Sequence, residues 1–401
     1  MGIVEEYKQT VVGPIPQDWE LVRLKEVSLN DTQNGIYKPD TFSGRGCEIV
    51  NMKELFRDKI ISNTIPMKQL ELNEFEKQRF LLQEGDLLFA RRSLVLDGVG
   101  KCSIVGSLSK QTTFESSIIR VTPNSKIAKS KFLFYYTSSG IGRTKMIGLA
   151  RQVAVSGITG TDLLTYPIPL PPLPEQQAIA KVLSDTDKLI QSLEKKIAKK
   201  KLIKQGIMQK LLTPKEGWEV KKLGKVAEIN MGQSPHSVNY NSNGHGLPLI
   251  QGNADLKNRK TIIRSYTSQI TKVCNKGDII MSVRAPVGAV ALASFKACIG
   301  RGVCAIRYEN NYLYHYLIHL ESKWSSFSTG STFDSINSDT LKNLEIAIPS
   351  IESQFQIASI LDKVDSELDC LISLLSKRRL SKQGLMQQLL TGKIRLSCQE
   401  K

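Results

Sequence analysis

A self-repeat constrains this chain more than any other feature of its sequence. Displaced by 178 residues, Pro172–Thr213 falls on Ser350–Thr391 without a gap, and 16 of the 42 residue pairs are identical. Ile179-Ala180 meets Ile357-Ala358, Asp187 meets Asp365, Lys204-Gln205-Gly206 meets Lys382-Gln383-Gly384, and Leu211-Leu212-Thr213 meets Leu389-Leu390-Thr391. Upstream the match continues with a falling offset: Trp19-Glu20 meets Trp218-Glu219 at 199, and Gly85-Asp86 meets Gly277-Asp278 at 192. A segment that keeps its length beside one that does not points to two half-proteins in tandem, each a variable module followed by a helix of fixed length.

Within the repeated segment, apolar or small residues recur at alternating spacings of four and three, as in a helix with one buried stripe. The first copy runs Leu183, Thr186, Ile190, Leu193, Ile197, then Lys200 and Lys204, then Ile207 and Leu211. The second runs Leu361, Val364, Leu368, Leu371, Leu375, then Arg378 and Lys382, then Leu385 and Leu389. Pro171-Pro172 and Pro174 mark the start of the first helix, because proline suits a helix start and not its interior. Gly206 and Gly384 inside the pattern suggest close backbone packing or a bend. Two matching stripes on one chain can bury each other, which predicts an antiparallel coiled coil. A helix of roughly 35 residues is about 52 Å long, which makes it a spacer of fixed length between the two modules. The run Lys195-Lys196, Lys199-Lys200-Lys201, Lys204 suits phosphates and a solvated coil face equally.

The regions between the helices read as mixed. Strand-like runs at Asp86–Ala90, Ser117–Val121, Asp278–Ser282 and Gly288–Ala293 are bounded by turn residues, and helices are predicted over Lys129–Thr137 and Asn311–Lys323. The expected fold class is therefore α+β: two mixed α/β modules in tandem and two long helices forming the coil.

A surplus of 55 Lys and Arg over 38 Asp and Glu, a net charge of +17, points to a polyanionic partner, most often nucleic acid. Basic residues follow corresponding strands: Arg91-Arg92-Ser93 in the first module and Arg284 in the second. An arginine fork can bond the O6 and N7 edge of guanine, or hold a phosphate without reading sequence. Lys101 and Arg301 join the candidate DNA contacts. So do two loops that correspond at offset 178: Arg151 and Gln152 in the first, where Gln152 suits adenine, and Thr329, Ser331 and Thr332 in the second, where the hydroxyls suit phosphates.

Enzyme signatures are absent from the sequence. It has no P-loop, no dinucleotide fingerprint, no Asn-Pro-Pro-Tyr-like run and no nuclease carboxylate cluster. His315 and His319 stand four apart, but without the intervening Glu of a zinc motif they read as a surface or half-buried helix. The seven cysteines are odd in number and lack C-x-x-C spacing, so they read as free thiols in a reducing compartment. With no apolar leader over Met1–Gln9 and no membrane-length apolar run, a cytoplasmic protein with no membrane partner is expected.

The segment Tyr166–Gln177, the helix end Lys204–Leu212, the Trp-Glu that opens each module, the Gly-Asp strand starts and Gly300-Arg301-Gly302-Val303 together resemble the specificity subunit of type I restriction–modification enzymes. The second copy departs from the pattern where Pro-Leu-Pro-Glu-Gln-Gln becomes Ser350-Ile351-Glu352-Ser353-Gln354-Phe355. The resemblance implies an N-terminal arm over 1–16, target-recognition domains over 17–171 and 214–349, spacer helices over 172–213 and 350–395, and a tail over 396–401. Each domain would read half of a bipartite site in double-stranded DNA. The helices would set the spacing and dock two methyltransferase subunits, with Glu175, Gln176, Gln177 and Gln354 as candidate partner contacts. The chain would hold no cofactor or metal and have no catalytic residue. S-adenosylmethionine would come with the adenine methyltransferase, and a motor–nuclease subunit could join. The alternatives are a basic coiled-coil scaffold binding protein or non-specific DNA, a subunit of a methyltransferase-only or type IIB-like system, and a self-sufficient nuclease or methyltransferase with divergent motifs. The spacer reading makes a prediction. Inserting one heptad into the first helix should change the number of unread bases between half-sites and leave the half-sites unchanged, as methylation mapping would show.

Overall fold

The computed structural model describes residues 2–3, 6–151, 156–321 and 335–396. It divides into two compact units, Met1–Leu193 with Leu374–Lys401, and Glu194–Ser373. Four helices organise them: α1 (Ser130–Ser138), α2 (Leu173–Leu212), α3 (Tyr312–Leu320) and α4 (Ile351–Leu389). Each unit holds one module and a stretch of both long helices.

The two modules share one topology. In the first, among the described residues, a sheet runs Gln33–Asn34, Ile118–Val121, Leu87–Ala90, Cys102–Val105, Ile60–Ile61. In the second the same order is met by Glu228–Met231, Val303–Arg307, Ile279–Ser282, Val290–Leu292, Lys260–Thr261, with Leu256–Lys257 added at the edge. Both central strands begin at the Gly-Asp pair. Gly85 and Gly277 take φ of +92° and +93°, a conformation that favours glycine. Asp86 and Asp278 then accept the backbone N–H three residues earlier, from Gln83 (2.9 Å) and Asn275 (2.8 Å). The repeated Gly-Asp is thus a turn that launches a buried strand. The repeated Trp-Glu has a similar cause. Glu20–Arg23 pairs antiparallel with Pro167–Leu170, and Glu219–Lys222 with Glu345–Ile348, closing the start of each module on its end just before the long helix.

The helical stripes are buried as their spacing predicts, partly by the module and partly by the other helix. In the first unit, Ile179 and Leu183 of α2 share a core with Leu389 of α4, with Leu390 just after it, and with Trp19, Phe132, Tyr136 and Tyr166. In the second unit, Met208 and Leu212 of α2 share one with Ile357 and Leu361 of α4 and with Tyr312 and Leu317. The stretches run antiparallel in both.

The lysines that interrupt the stripe are paired. Lys382 of α4 donates to both carboxylate oxygens of Asp187 on α2, at 2.6 and 2.7 Å. Lys204 of α2 meets Asp365 of α4 at 2.5 Å, the same pair displaced by 178 residues in each member. Tyr135 of α1 adds a hydroxyl to Asp187 at 3.0 Å, and Lys382 lies 5.3 Å from its ring centroid. His315 of α3 bonds Asp362 through Nε2 at 2.8 Å, with Nδ1 3.9 Å from Asp365. Burial lowers the Lys382 ammonium below its usual range and pushes the His315 imidazole down, so the ring is neutral at pH 7.

Two sequence expectations are corrected here, and the lysine run divides. His315 is fully buried and anchored to the coil, not on a surface or half-buried helix. Gly206 and Gly384 pack against nothing, since a Cβ at either would meet open space. In the lysine run, Lys200 and Lys204 are ion-paired with Glu367 and Asp365, while Lys195, Lys196, Lys199 and Lys201 are exposed.

The residues expected at a partner surface mostly turn inward. Gln176 and Gln354 are 1% and 4% exposed. Each donates its amide to the carbonyl five residues back, Pro171 (2.8 Å) and Pro349 (3.0 Å). Each also accepts from the module, Gln176 from the Lys129 N–H (2.8 Å) and Gln354 from the Tyr308 hydroxyl (2.8 Å). Glu175 is buried and receives the Trp19 indole at 3.1 Å and the Arg395 guanidinium at 2.7 and 2.8 Å. Arg395 also binds Asp18, and these two carboxylates hold it well above the usual guanidinium range. Only Gln177 of the four is exposed. Removing one partner of a buried pair strands the other, so Glu175→Ala should destabilise the chain by about 3 kcal/mol in denaturant titration. Ser353→Ala, at the corresponding half-buried position with no charged partner, should change it by under about 0.5 kcal/mol.

Candidate DNA interface

At one end of each sheet the same backbone framework is built twice, from five hydrogen bonds. In the first module Gly35 N–H donates to Ile118 (3.0 Å), Ile36 to Phe114 (2.9 Å), Glu115 to Val50 (3.0 Å), Arg91 to Ser117 (2.9 Å), and Ile158 to Arg91 (3.0 Å). In the second, Gly232 donates to Val303 (3.0 Å), Gln233 to Ile299 (2.9 Å), Gly300 to Ile250 (2.8 Å), Val283 to Gly302 (2.9 Å), and Ile336 to Val283 (2.8 Å). The crossing is too tight for a side chain. A Cβ on Gly35 would lie 2.2 Å from the Glu115 carbonyl oxygen, and one on Gly232 2.1 Å from that of Gly300. These glycines were not singled out in the sequence; the signal was a glycine closing the first sheet strand of both modules.

The framework aligns the candidate arginines residue by residue. Arg91 corresponds to Val283, so Arg92 corresponds to Arg284. Arg92 pairs with Gly157 and Arg284 with Ser335, one residue before the equivalent Ile158 and Ile336. Both are exposed, and neither guanidinium has a carboxylate partner among the described residues. Arg91 is half-buried. Ser93 accepts the Val95 N–H at 3.2 Å, which bends the loop after Arg92. Beside it Leu94, 89% exposed, and Val95 stand in solvent; neither was among the residues picked from the sequence.

The other candidates divide. Arg301 sits exposed in the turn Gly300-Arg301-Gly302, its N–H held by Ser234 Oγ at 3.0 Å, just before the strand that pairs with Ile279–Ser282. Gln251, Asn253, Arg264 and Ser265 line a polar groove of about 620 Å³ that also includes Ala285 and Pro286, the two residues after Arg284. Arg151 bridges to Gly157, on the side opposite Arg92, but is exposed and ion-paired with Asp162 at 3.2 Å. Lys101 is engaged internally, donating to the Phe56 carbonyl at 3.1 Å with its ammonium 5.1 Å from that ring's centroid. Gln152, Thr329, Ser331 and Thr332 lie outside the described residues. No group of His, Cys, Asp or Glu suited to a metal occurs among the described residues.

A family model described as "Type I restriction modification DNA specificity domain" matches residues 16–202 and 215–372. The chain belongs to that family. It is 32% identical, over 98% of its length and 97% of the other's, to the putative type I restriction enzyme MjaX specificity subunit of Methanocaldococcus jannaschii. A solved chain from work on complex assembly and conformational transition of the type I restriction–modification system matches with a TM-score of 0.58 at 26% identity, covering 95% of this chain and 99% of that one. The crystal structure of a type I restriction–modification S subunit from M. genitalium matches in fold, with a TM-score of 0.63 at 15% identity over 92% and 96% of the two chains. No helix among the described residues is long and apolar enough to cross a membrane.

In a chain of this family the repeated framework carries the candidate DNA contacts, and Arg92 and Arg284 hold the same place in it. Arg92→Ala should weaken only the half-site read by the first module, and Arg284→Ala only that read by the second, each by about 1–3 kcal/mol if the contact is to a base. Uniform loss over all sequences, with a shallower salt dependence, would identify a phosphate contact instead. Titration of duplexes randomised in one half-site at a time distinguishes the two.

Proposed function

We propose that this chain is the DNA specificity subunit of a type I restriction–modification system and performs no chemistry of its own. Each module reads one half of a bipartite site in double-stranded DNA, and the two long helices set the spacing between halves. The carrying observation is the framework of five backbone bonds built twice with different side chains upon it. A common scaffold brings both modules to DNA in the same manner. The differing turns, Glu115-Ser116-Ser117 and Gly300-Arg301-Gly302, give them different sequences to read. The net charge of +17 supports the same reading, since a polyanion needs a basic partner.

The long helices also offer a docking surface for two methyltransferase subunits, which bring S-adenosylmethionine and methylate adenine; a motor–nuclease subunit completes the restriction enzyme. Gln177 lies in an open groove with Ser130, Ala180, Lys181 and Ser184. The equivalent groove of the second unit is lined by Asn311, Phe355, Ala358, Ser359 and Asp362. The helix residues of the two grooves correspond at offset 178, as expected of two sites for copies of one partner. The setting for such a complex is the cytoplasm.

Co-expression with the cognate methyltransferase followed by methylation mapping tests this reading. The expected product is one split motif with a fixed gap, and the purified chain alone should neither transfer methyl groups nor cut DNA. Activity without a partner would overturn the subunit assignment. Equal methylation of all sequences would favour a basic scaffold.

A further inference from the structure

The two modules part company at one point of the framework they share. In the first, Glu115 stands where the chain crosses itself, and its carboxylate turns back to accept the Met52 N–H at 2.6 Å. Beside it the Asn51 amide donates to the Ile49 carbonyl at 3.3 Å. In the second module Gly300 takes the place of Glu115 and Ile250 that of Val50, so Gln251 stands where Asn51 does and Gly252 where Met52 does. Gly300 has no side chain to turn back. The Gly252 N–H is instead satisfied within its own turn, by the Asp255 carboxylate at 3.2 Å. Gln251 and Gly252 line the polar groove of about 620 Å³, with Asn253, Arg264 and Ser265.

Gln251 has its main chain fixed and its side chain idle. Its N–H donates to Asp255 at 2.7 Å, and the residue before it accepts the Gly300 N–H at 2.8 Å. Its carbonyl oxygen lies so close to Gly302 that a Cβ there would come within 2.1 Å. Yet the half-buried Gln251 amide has no hydrogen bond among the described residues, and neither has that of Asn253. A side-chain amide offers a donor and an acceptor side by side, which match N7 and the N6 amine on the major-groove edge of adenine. A residue already immobilised through its backbone loses little freedom on making that pair. The surroundings suit DNA as well. Asp255 is buried and occupied by two main-chain N–H groups, so it leaves no free carboxylate. Arg264 is exposed, its guanidinium no nearer than 3.8 Å to Asp255, and Arg284 directly precedes Ala285 and Pro286 of the lining. Amides with guanidinium groups beside them fit a base edge flanked by phosphates.

We propose that this groove of the second module takes the major-groove edge of one base pair, and that Gln251 is a specificity-determining residue whose amide bonds an adenine of the half-site. The proposal rests on the specificity reading above. The first module has no counterpart, because Glu115 turns onto Met52 and the Asn51 amide is bonded within its own turn. One framework therefore carries different reading residues in its two copies.

The test uses the full chain co-expressed with its methyltransferase, with the methylated motif read base by base. Gln251→Ala should keep the melting temperature, keep one half-site intact, and relax a single position of the other. That position should be an A·T pair in the parental motif, and its discrimination should fall by roughly tenfold or more. An unchanged motif, a uniform loss over all positions, or relaxation at a G·C pair overturns the assignment. If that variant does not fold, Gln251→Met decides, since it keeps the length of the side chain and lacks the amide. The same single relaxed position then supports the proposal, and an unchanged motif overturns it. Absence of any split motif with the unaltered chain would instead bring down the specificity reading and the groove with it.

Discussion

One buried glutamine joins each module to its helix, and the rest of the architecture depends on that join. A side-chain amide has two donors and an acceptor to satisfy, and Gln176 uses them on Pro171, Ile127 and Lys129. Gln354 donates to the Pro349 carbonyl in the same way, while its oxygen accepts from both the Tyr308 hydroxyl and the Asn310 amide. An amide left unpaired in such a place costs about 1–3 kcal/mol, so helix start and module must meet at one angle. A detector held at a fixed angle on a rod can measure distance; one on a loose linker cannot. This is why the identical glutamine belongs to the fixed-length part of the repeat and not to the drifting part.

The two joins are not equally reinforced. In the first unit Glu175 gathers Trp19, Asp18's partner Arg395, and the Leu396 N–H, while Gly2–Ile3 pairs with Ile394–Arg395. The C-terminal segment thus completes the first module. At the matching position of the second unit stands Ser353, bonded to Ser350, and Trp218 is half-buried. There the preceding chain runs directly into the module, so no charged latch is needed to bring two distant segments together. The loss of Pro-Leu-Pro-Glu in the second copy follows from this connectivity.

The sequence made some features legible and hid others for physical reasons. Helix periodicity and the repeat both act over many residues, so the long helices, the seam and the module strands could be read directly. The interruptions at Lys204 and Lys382 were visible too, but their partners Asp187 and Asp365 lie on the other helix, 195 and 161 residues away. Glu175, Gln176 and Gln354 were expected at a partner surface because the resemblance implied docking at the helix starts. Nothing local announces that a polar side chain is buried and satisfied by atoms distant in sequence. His315 was placed wrongly for the same reason. The framework that carries the candidate DNA contacts was hidden most, since it consists of backbone bonds and two glycines whose neighbours arrive only with the fold.

That framework separates what the two modules share from where they differ. Backbone hydrogen bonds set where the turns lie and tolerate almost any side chain, apart from Gly35, Gly232 and Gly302, where a Cβ would strike a carbonyl oxygen. The candidate DNA contacts, by contrast, differ in how far the fold already uses them. Lys101 and Arg151 both have intramolecular partners, so a DNA contact would compete with an existing one. Arg92, Arg284 and Arg301 have no such ion pair among the described residues, and their freedom has a structural source. Each is carried by a strand or turn already held through its main chain, so the side chain is left without a structural task. A module built this way can change its target by exchanging a few exposed residues while its sheet, its glutamine join and its helix remain as they are. The drift in length between the two halves, which falls in the modules and not in the repeated helices, fits such a division.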